Sequence, residues 1–282
     1  MVNSDPTIHF VHDCLVTDDG AVMFKCDTDS TKWPWLSLHP AHCIAVQSVN
    51  YFASVGASFA AGRLDPQKWS ALTSLQWQTF VHADEALPAT HGVVDPQPDP
   101  DKADYAISLF NEQGTPVYRF TGAGVVFQNR DFKSWRAKAR AEIMALPEPD
   151  TFRYAAPEAV GVLHPVESFV TELIEKKDIS IVRALVASAT GFMPSHPYHD
   201  GSGDHVNAGH LCDAAQQAVH MLRHQTGKNA AYPVAGRVNF RRYVELDRPF
   251  QIRLENHLTE ADRISMSFWQ GEYHCADLVF QY

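Results

Sequence analysis

Alternating apolar and polar positions open the chain. "IHFVHDCLV" and "AVMFKCD" each read as a strand, and the "TDDG" between them reads as a tight turn, since Asp-Gly accepts the left-handed backbone that hairpins need. A weaker copy starts near residue 168, where "SFVTELIE", "KKD" and "ISIVRALVAS" repeat the pattern, the first piece with some helical character as well. Each hairpin leads through an irregular, His-bearing segment, "STKWPWLSLHPAHC" or "TGFMPSHPYHDGSGDH", into an apolar stretch with helical spacing. The spacing predicts helices over about Ser48–Ala61 and about Ala208–Arg223. Strand-like material follows each one. In the first half it is "ALTSLQWQTFVHA", "ALPATHGVV" and "DYAISLFNEQGTPVYRFTGAGVVF", where "NEQGT" is a turn; in the second it is "PVAGRVNFRRYVEL", "FQIRLENHL" and "RISMSFWQGEYHCADLVFQY", with "QGE" as a turn. Both halves therefore read ββ–helix–βββ. Between them, "DFKSWRAKARAEIMAL" is a charged amphipathic helix and "PEPDTFRYAAPEA" is Pro-rich and linker-like. The predicted organisation is a first domain over residues 1–145, a linker over 146–160 and a second domain over 161–282.

Composition narrows the class. The 282 residues are 45% hydrophobic and 20% charged, which predicts packed cores rather than disorder. The formal net charge of −10 argues against a nucleic-acid partner and against an anionic membrane surface. The first ten residues lack the basic and apolar regions of a signal peptide, and no uncharged apolar run is long enough to span a bilayer. Five cysteines with no C-x-x-C pair read as reduced thiols. These features together predict a cytoplasmic protein.

The second helix has an unusual polar stripe. Leu211, Ala215, Ala218, Val219 and Leu222 form its apolar face, and Asp213, Gln216, Gln217 and His220 lie opposite. Asp213 is the stripe's one carboxylate. It is either an ordinary surface acid or a partly buried group facing the other half of the chain, and spacing alone leaves both open. A helix wrapped by an antiparallel sheet, twice in one chain, is the α+β arrangement of a double hot-dog.

Specific residues carry two resemblances. "HLCDAAQQAV" resembles the C-terminal hot-dog of polyketide-synthase dehydratase domains, whose helix has Asp, three residues, then Gln or His: here Asp213 and Gln217. "PWLSLHP" resembles their N-terminal hot-dog, which implies His39 as the catalytic base, with His42 as the alternative because the Gly and Pro that follow the family's His are Cys43 and Ser48 here. "DHVNAGHLCDAAQQA" with "NFRRYVELDRP" is similar to the hot-dog proteins of A-factor-type γ-butyrolactone biosynthesis, whose usual helix Glu is Asp213 in this chain. Both resemblances imply an acyl thioester, on the phosphopantetheine of an acyl carrier protein or on coenzyme A, with no other cofactor. They also suggest polyketide-like secondary metabolism.

Dehydration of a β-hydroxyacyl thioester needs a base at the α-carbon and an acid at the β-hydroxyl. Imidazole suits the first role, and a carboxyl suits the second if burial holds its proton on. The reading is thus a hydro-lyase with His39 as base, Asp213 as acid and Gln217, one turn on, orienting the carboxyl or the leaving water; His42, His199 and His205 are the alternative histidines. A-factor-type acyl transfer or condensation, thioester hydrolysis, and non-catalytic acyl binding are the alternatives. In hot-dog pairs each site takes His from one unit and the acid from the other. The first helix, "SVNYFASVGASFAA", has no acid, so one working site is expected, and His199 would belong to the silent one. His196, His199, Asp204 and His205 match no metal-ligand template, and no metal is expected. Cys43 and Cys212 sit in apolar settings that suit packing better than nucleophilic attack. Lys228, Arg237, Arg241, Arg242, Arg248 and Arg253 either solubilise a sheet face or meet a carrier protein's carboxylates or a cofactor's phosphates. The expected state is a monomer that is internally a pseudo-dimer, or a homodimer.

Overall fold

The structure, a computed structural model, describes residues 9–64, 69–80, 87–96, 104–127, 132–147, 152–176, 179–192, 204–225, 227, 231–255 and 262–282. The chain divides between Asn129 and Arg130 into two compact units.

The first unit holds β1 (Val11–Val16), β2 (Val22–Cys26), α1 (Cys43–Ala60), β3 (Trp69–Thr79), β4 (His91–Val94), β5 (Tyr105–Phe110) and β6 (Pro116–Phe127). Its antiparallel strands lie in the order β1-β2-β4-β5-β6-β3. The predicted turns form where glycine is needed: Gly20 and Gly114 both have φ near +80° (86° and 77°). Period-2 burial follows, with Val22, Phe24 and Cys26 inward on β2. Helix α1 packs on β1 and β2. Gly56 permits the approach, because a Cβ there would lie 2.0 Å from Val11 Cγ2. Gly122 on β6 lets the Tyr105 ring lie across it, and the Tyr105 hydroxyl then donates to the buried Asn50 Oδ1 on α1 (3.0 Å).

Helix α1 begins five residues before the predicted start. His42 caps it, its Nδ1 accepting from the Ile44 amide (3.2 Å), and "CIAVQ" is apolar enough to be buried as helix. The "PWLS" segment ahead of it is a single 3-10 turn.

The second unit holds α2 (Phe132–Met144), the short α3 (Pro157–Val160), β7 (Ile174–Lys176), β8 (Ile179–Ala184), α4 (Ala208–Gln225), β9 (Ala235–Phe240), β10 (Phe250–Glu255), β11 (Arg263–Gln270) and β12 (Tyr273–Gln281). Its antiparallel order is β7-β8-β10-β11-β12-β9. Strand for strand this is the permutation of the first unit, so the internal repeat is one of topology. In each unit the last predicted piece folds, as the turn within it implies, into a hairpin, so four strands follow the helix where the ββ–helix–βββ reading counted three.

Two expectations change. The division at residue 129 lies ahead of the 146–160 segment expected to be a linker, so the charged helix α2 belongs to the second unit and not to a domain ending at 145. The physical reason is Arg136, whose guanidinium is held by Glu245 and Asp204. Part of the segment read as linker also folds, as α3, which packs on α4 with Gly161 against the His220 ring.

Candidate active site

Helix α4 is buried on most of its circumference, and its polar stripe splits. Gln216 and His220 are half-exposed, whereas Asp213 and Gln217 are each 1% exposed. Asp213 is therefore no surface acid. Gln217, one turn later on the same face, donates from Nε2 to Asp213 Oδ2 (2.9 Å) and to the Glu167 carbonyl (2.9 Å), while its Oε1 accepts from the Phe169 amide (2.7 Å). Both N–H bonds and the carbonyl of the amide are thus occupied, and Gln217 fixes the position of the Asp213 carboxyl. Burial pushes the Asp213 carboxyl up to about 7, against the Gln217 hydrogen bond, which lowers it. A carboxyl so placed keeps its proton near neutral pH.

Sequence reasoning passed over His210. It lies three residues before Asp213 on the same helical face and is 1% exposed. Its Nε2 is 2.7 Å from the Gly191 carbonyl, and its ring meets the Phe169 ring at a 5.4 Å centroid distance. Its one sequence signal is helical spacing to Asp213. Asn207 caps the helix, its Oδ1 accepting from the His210 amide (3.0 Å).

In the first unit His39 is half-buried, and burial lowers its pKa. Its Nδ1 accepts from the Ala41 amide (3.1 Å), which leaves the neutral ring's proton on Nε2. His42 is buried and lowered to about 4, by burial first and by His39 second. Nearby, Phe10, Trp33, Trp35 and Phe52 form an aromatic cluster, with Trp33 and Phe52 centroids 4.9 Å apart and Trp35 stacked on Phe52 at 6.0 Å. Counting from the two capping residues, His42 and Asn207, the α1 positions that match Asp213 and Gln217 are Ser48 and Phe52.

The two sequence pieces "DHV" and "YVEL" meet in the second unit. The Val206 amide donates to the Val244 carbonyl (2.8 Å), and His205 forms an antiparallel bridge with Glu245. Arg136 grips Glu245 with both terminal nitrogens (2.5 and 2.6 Å), and its Nε is 3.1 Å from Asp204 Oδ2. The other Asp204 oxygen accepts from His205 Nδ1 (2.7 Å), and the His205 ring lies 4.3 Å from that of Tyr243. Gln270, fully buried on β11, accepts from the Glu245 amide and donates to the Glu245 and Arg248 carbonyls. Arg136 had no distinguishing sequence signal, being one base among several on an amphipathic helix.

His196 and His199 lie outside the described residues, as does Lys228. Among the described residues no group of three or more His, Cys, Asp or Glu is arranged to hold a metal ion. Cys43 and Cys212 are buried, and burial pushes the Cys212 thiol up, away from nucleophilic use. Arg241 pairs with Asp277 and Arg242 with Glu142. No helix of the described residues is long and apolar enough to cross a membrane.

No protein-family model matches the chain, and no curated protein matches it. Solved structures do. The dehydratase domain from the CurJ module of curacin polyketide synthase matches with a TM-score of 0.53 at 11% identity, over 98% of this chain and 96% of that one. The bifunctional dehydratase-cyclase domain in ambruticin biosynthesis gives 0.51 at 15%, over 97% and 95%. A protein described as an oleoyl thioesterase from Lactobacillus plantarum gives 0.52 at 13%, over 85% and 87%. At these identities the likeness is one of fold, and the fold is the hot-dog.

Proposed function

We propose that the chain is a dehydratase acting on a β-hydroxyacyl thioester, delivered on the phosphopantetheine of an acyl carrier protein or on coenzyme A. Its two units are the halves of a double hot-dog. The observation that carries this reading is Asp213, a fully buried carboxyl held by Gln217 with its pKa near neutrality. Such a group donates a proton to a leaving hydroxyl, which an ordinary surface carboxylate cannot do at pH 7. His39, kept neutral by partial burial, takes the α-proton. To do so through Nε2 its own proton moves to Nδ1 and the contact with the Ala41 amide opens. Gln217 holds the Asp213 carboxyl in place throughout. Water leaves from the β-carbon, and the thioester is conserved as an enoyl thioester.

Supplying a 3-hydroxyacyl pantetheine thioester and following products by mass spectrometry tests the class of reaction. Loss of one water without release of free thiol supports dehydration. Free thiol and a hydroxy acid would make the protein a thioesterase, and no turnover with carrier-bound or coenzyme A substrates would sink the enzymatic reading.

A second reading, A-factor-type acyl transfer, is favoured by one observation: "DHV" and "YVEL" meet in a single, partly buried assembly around Arg136. A β-ketoacyl thioester offered with a phosphorylated three-carbon alcohol would give the ester on that reading and no product on the first.

A further inference from the structure

Among the described residues, one lone pair of the His210 ring is left unused. The Gly191 carbonyl can only accept, so His210 Nε2 carries the ring proton in their 2.7 Å contact. Burial keeps the ring neutral, pushing its pKa down to about 4. Nδ1 is then an acceptor, and among the described residues it has no hydrogen-bond partner although the side chain is 99% buried. Buried acceptors are nearly always satisfied, and the exceptions call for a ligand or another explanation.

The surroundings favour a ligand. His210, Asp213 and Gln217 lie at i, i+3 and i+7 on α4, one face of the helix. Phe169 touches both ends of that row, its ring against His210 and its amide on Gln217 Oε1. Residues three apart on a helix have β-carbons about 5–6 Å apart, a separation that one hydroxyl oxygen can bridge. A hydroxyl offers both functions needed. Its oxygen accepts the proton of the Asp213 carboxyl, and its hydrogen points to an acceptor.

We propose that His210 Nδ1 accepts the hydrogen of the substrate's β-hydroxyl and so selects β-hydroxyacyl chains over their deoxy counterparts. The inference rests on the reading of Asp213 as the acid that protonates that same hydroxyl. It assigns His210 no proton transfer: the histidine holds the leaving oxygen in line with the carboxyl. A methylene at the β-carbon leaves Nδ1 unpaired, and a site built around a hydroxyl discriminates against a ligand lacking it.

The test uses two pantetheine amides, a 3-hydroxyacyl compound and its 3-deoxy twin, the amide lacking the α-proton acidity that elimination needs. Calorimetry with the wild-type protein should show the hydroxy compound bound about ten-fold or more tighter, a ratio one buried hydrogen bond supplies. His210→Phe keeps an aromatic ring beside Phe169 and should bring the ratio close to one while keeping affinity for the deoxy twin. An unchanged ratio in that variant overturns the inference. Should the variant not fold, 15N-histidine NMR of the wild type replaces it: the His210 Nδ1 resonance should move with the hydroxy compound and stay with the deoxy one, and the same response to both overturns the inference. A wild-type ratio near one in a protein that still dehydrates thioesters removes His210 and leaves the dehydratase reading standing. Binding of neither twin, with no dehydration, removes both.

Discussion

At the scale of single residues the chemistry turns on one proton. The Asp213 carboxyl moves from an ordinary 3.8 to about 7 because it is fully buried. Between those values the folded protein holds a proton that the unfolded chain has released, so stability falls as pH rises through that interval. One pKa unit is about 1.4 kcal/mol, which puts the penalty at ~4 kcal/mol above pH 7. Asp213→Asn should therefore be more stable than the wild type at pH 8 and close to it at pH 4, as read by urea denaturation at the two pH values; a variant equally or less stable at pH 8 would show that the carboxyl is better solvated than its burial implies. That Asp213 and Gln217 share one face of the helix was legible in the sequence from their four-residue spacing, but their burial was not. A stripe of Asp, Gln, Gln and His has no internal marker of where the surface ends, and the fold divides it between Gln216 and His220 outside and Asp213 and Gln217 inside. His210 was harder still, because the tautomer of its ring depends on the Gly191 carbonyl, which only folding brings to it.

At the scale of elements two contacts hold the helices. Arg136 on α2 and Glu245 are 7% and 2% exposed in their side chains, and each is the other's bidentate partner. Removing one side leaves a buried charge alone, which typically costs about 3–5 kcal/mol. Arg136→Ala should lower unfolding free energy by that amount, with Arg136→Ala/Glu245→Gln recovering part of it in a double-mutant cycle; additive losses would show that the pair does not interact. On the first unit, Gly56→Ala should cost about 1–3 kcal/mol by overpacking α1 on Val11, whose branched side chain cannot swing away. Adding Val11→Ala should recover some of the loss in thermal melts, and no recovery would place the strain elsewhere. Hairpins and helices were readable here because Asp-Gly turns, period-2 burial and apolar helix faces are local signals. The start of α1 was misplaced by five residues because a capping histidine such as His42 resembles any other loop histidine. The membership of α2 was missed because its anchor lies over a hundred positions away.

At the scale of the molecule, one strand permutation occurs twice and one acid occurs once. The repeat was visible in the sequence as hairpin, helix, strands, since both copies need the same alternation to cover a central helix. The asymmetry was visible too, because no carboxylate lies on α1. The structure adds the substitution itself: Ser48 and Phe52 stand where α4 has Asp213 and Gln217, and Phe52 is packed among Trp33, Trp35 and Phe10. An acyl-pantetheine ligand should accordingly saturate at one per chain in calorimetric titration, and two equivalent sites would contradict the division of labour between the units. The account as a whole depends on Asp213 acting as a protonated acid. The pH dependence of kcat for water loss from a 3-hydroxyacyl thioester, with wild type and Asp213→Asn side by side, tests it most directly. The expected wild-type rate falls as pH rises through about 7, and the variant is slower by about 10² or more. A wild-type rate that holds level or climbs across that range, or a variant that keeps its activity, would contradict it.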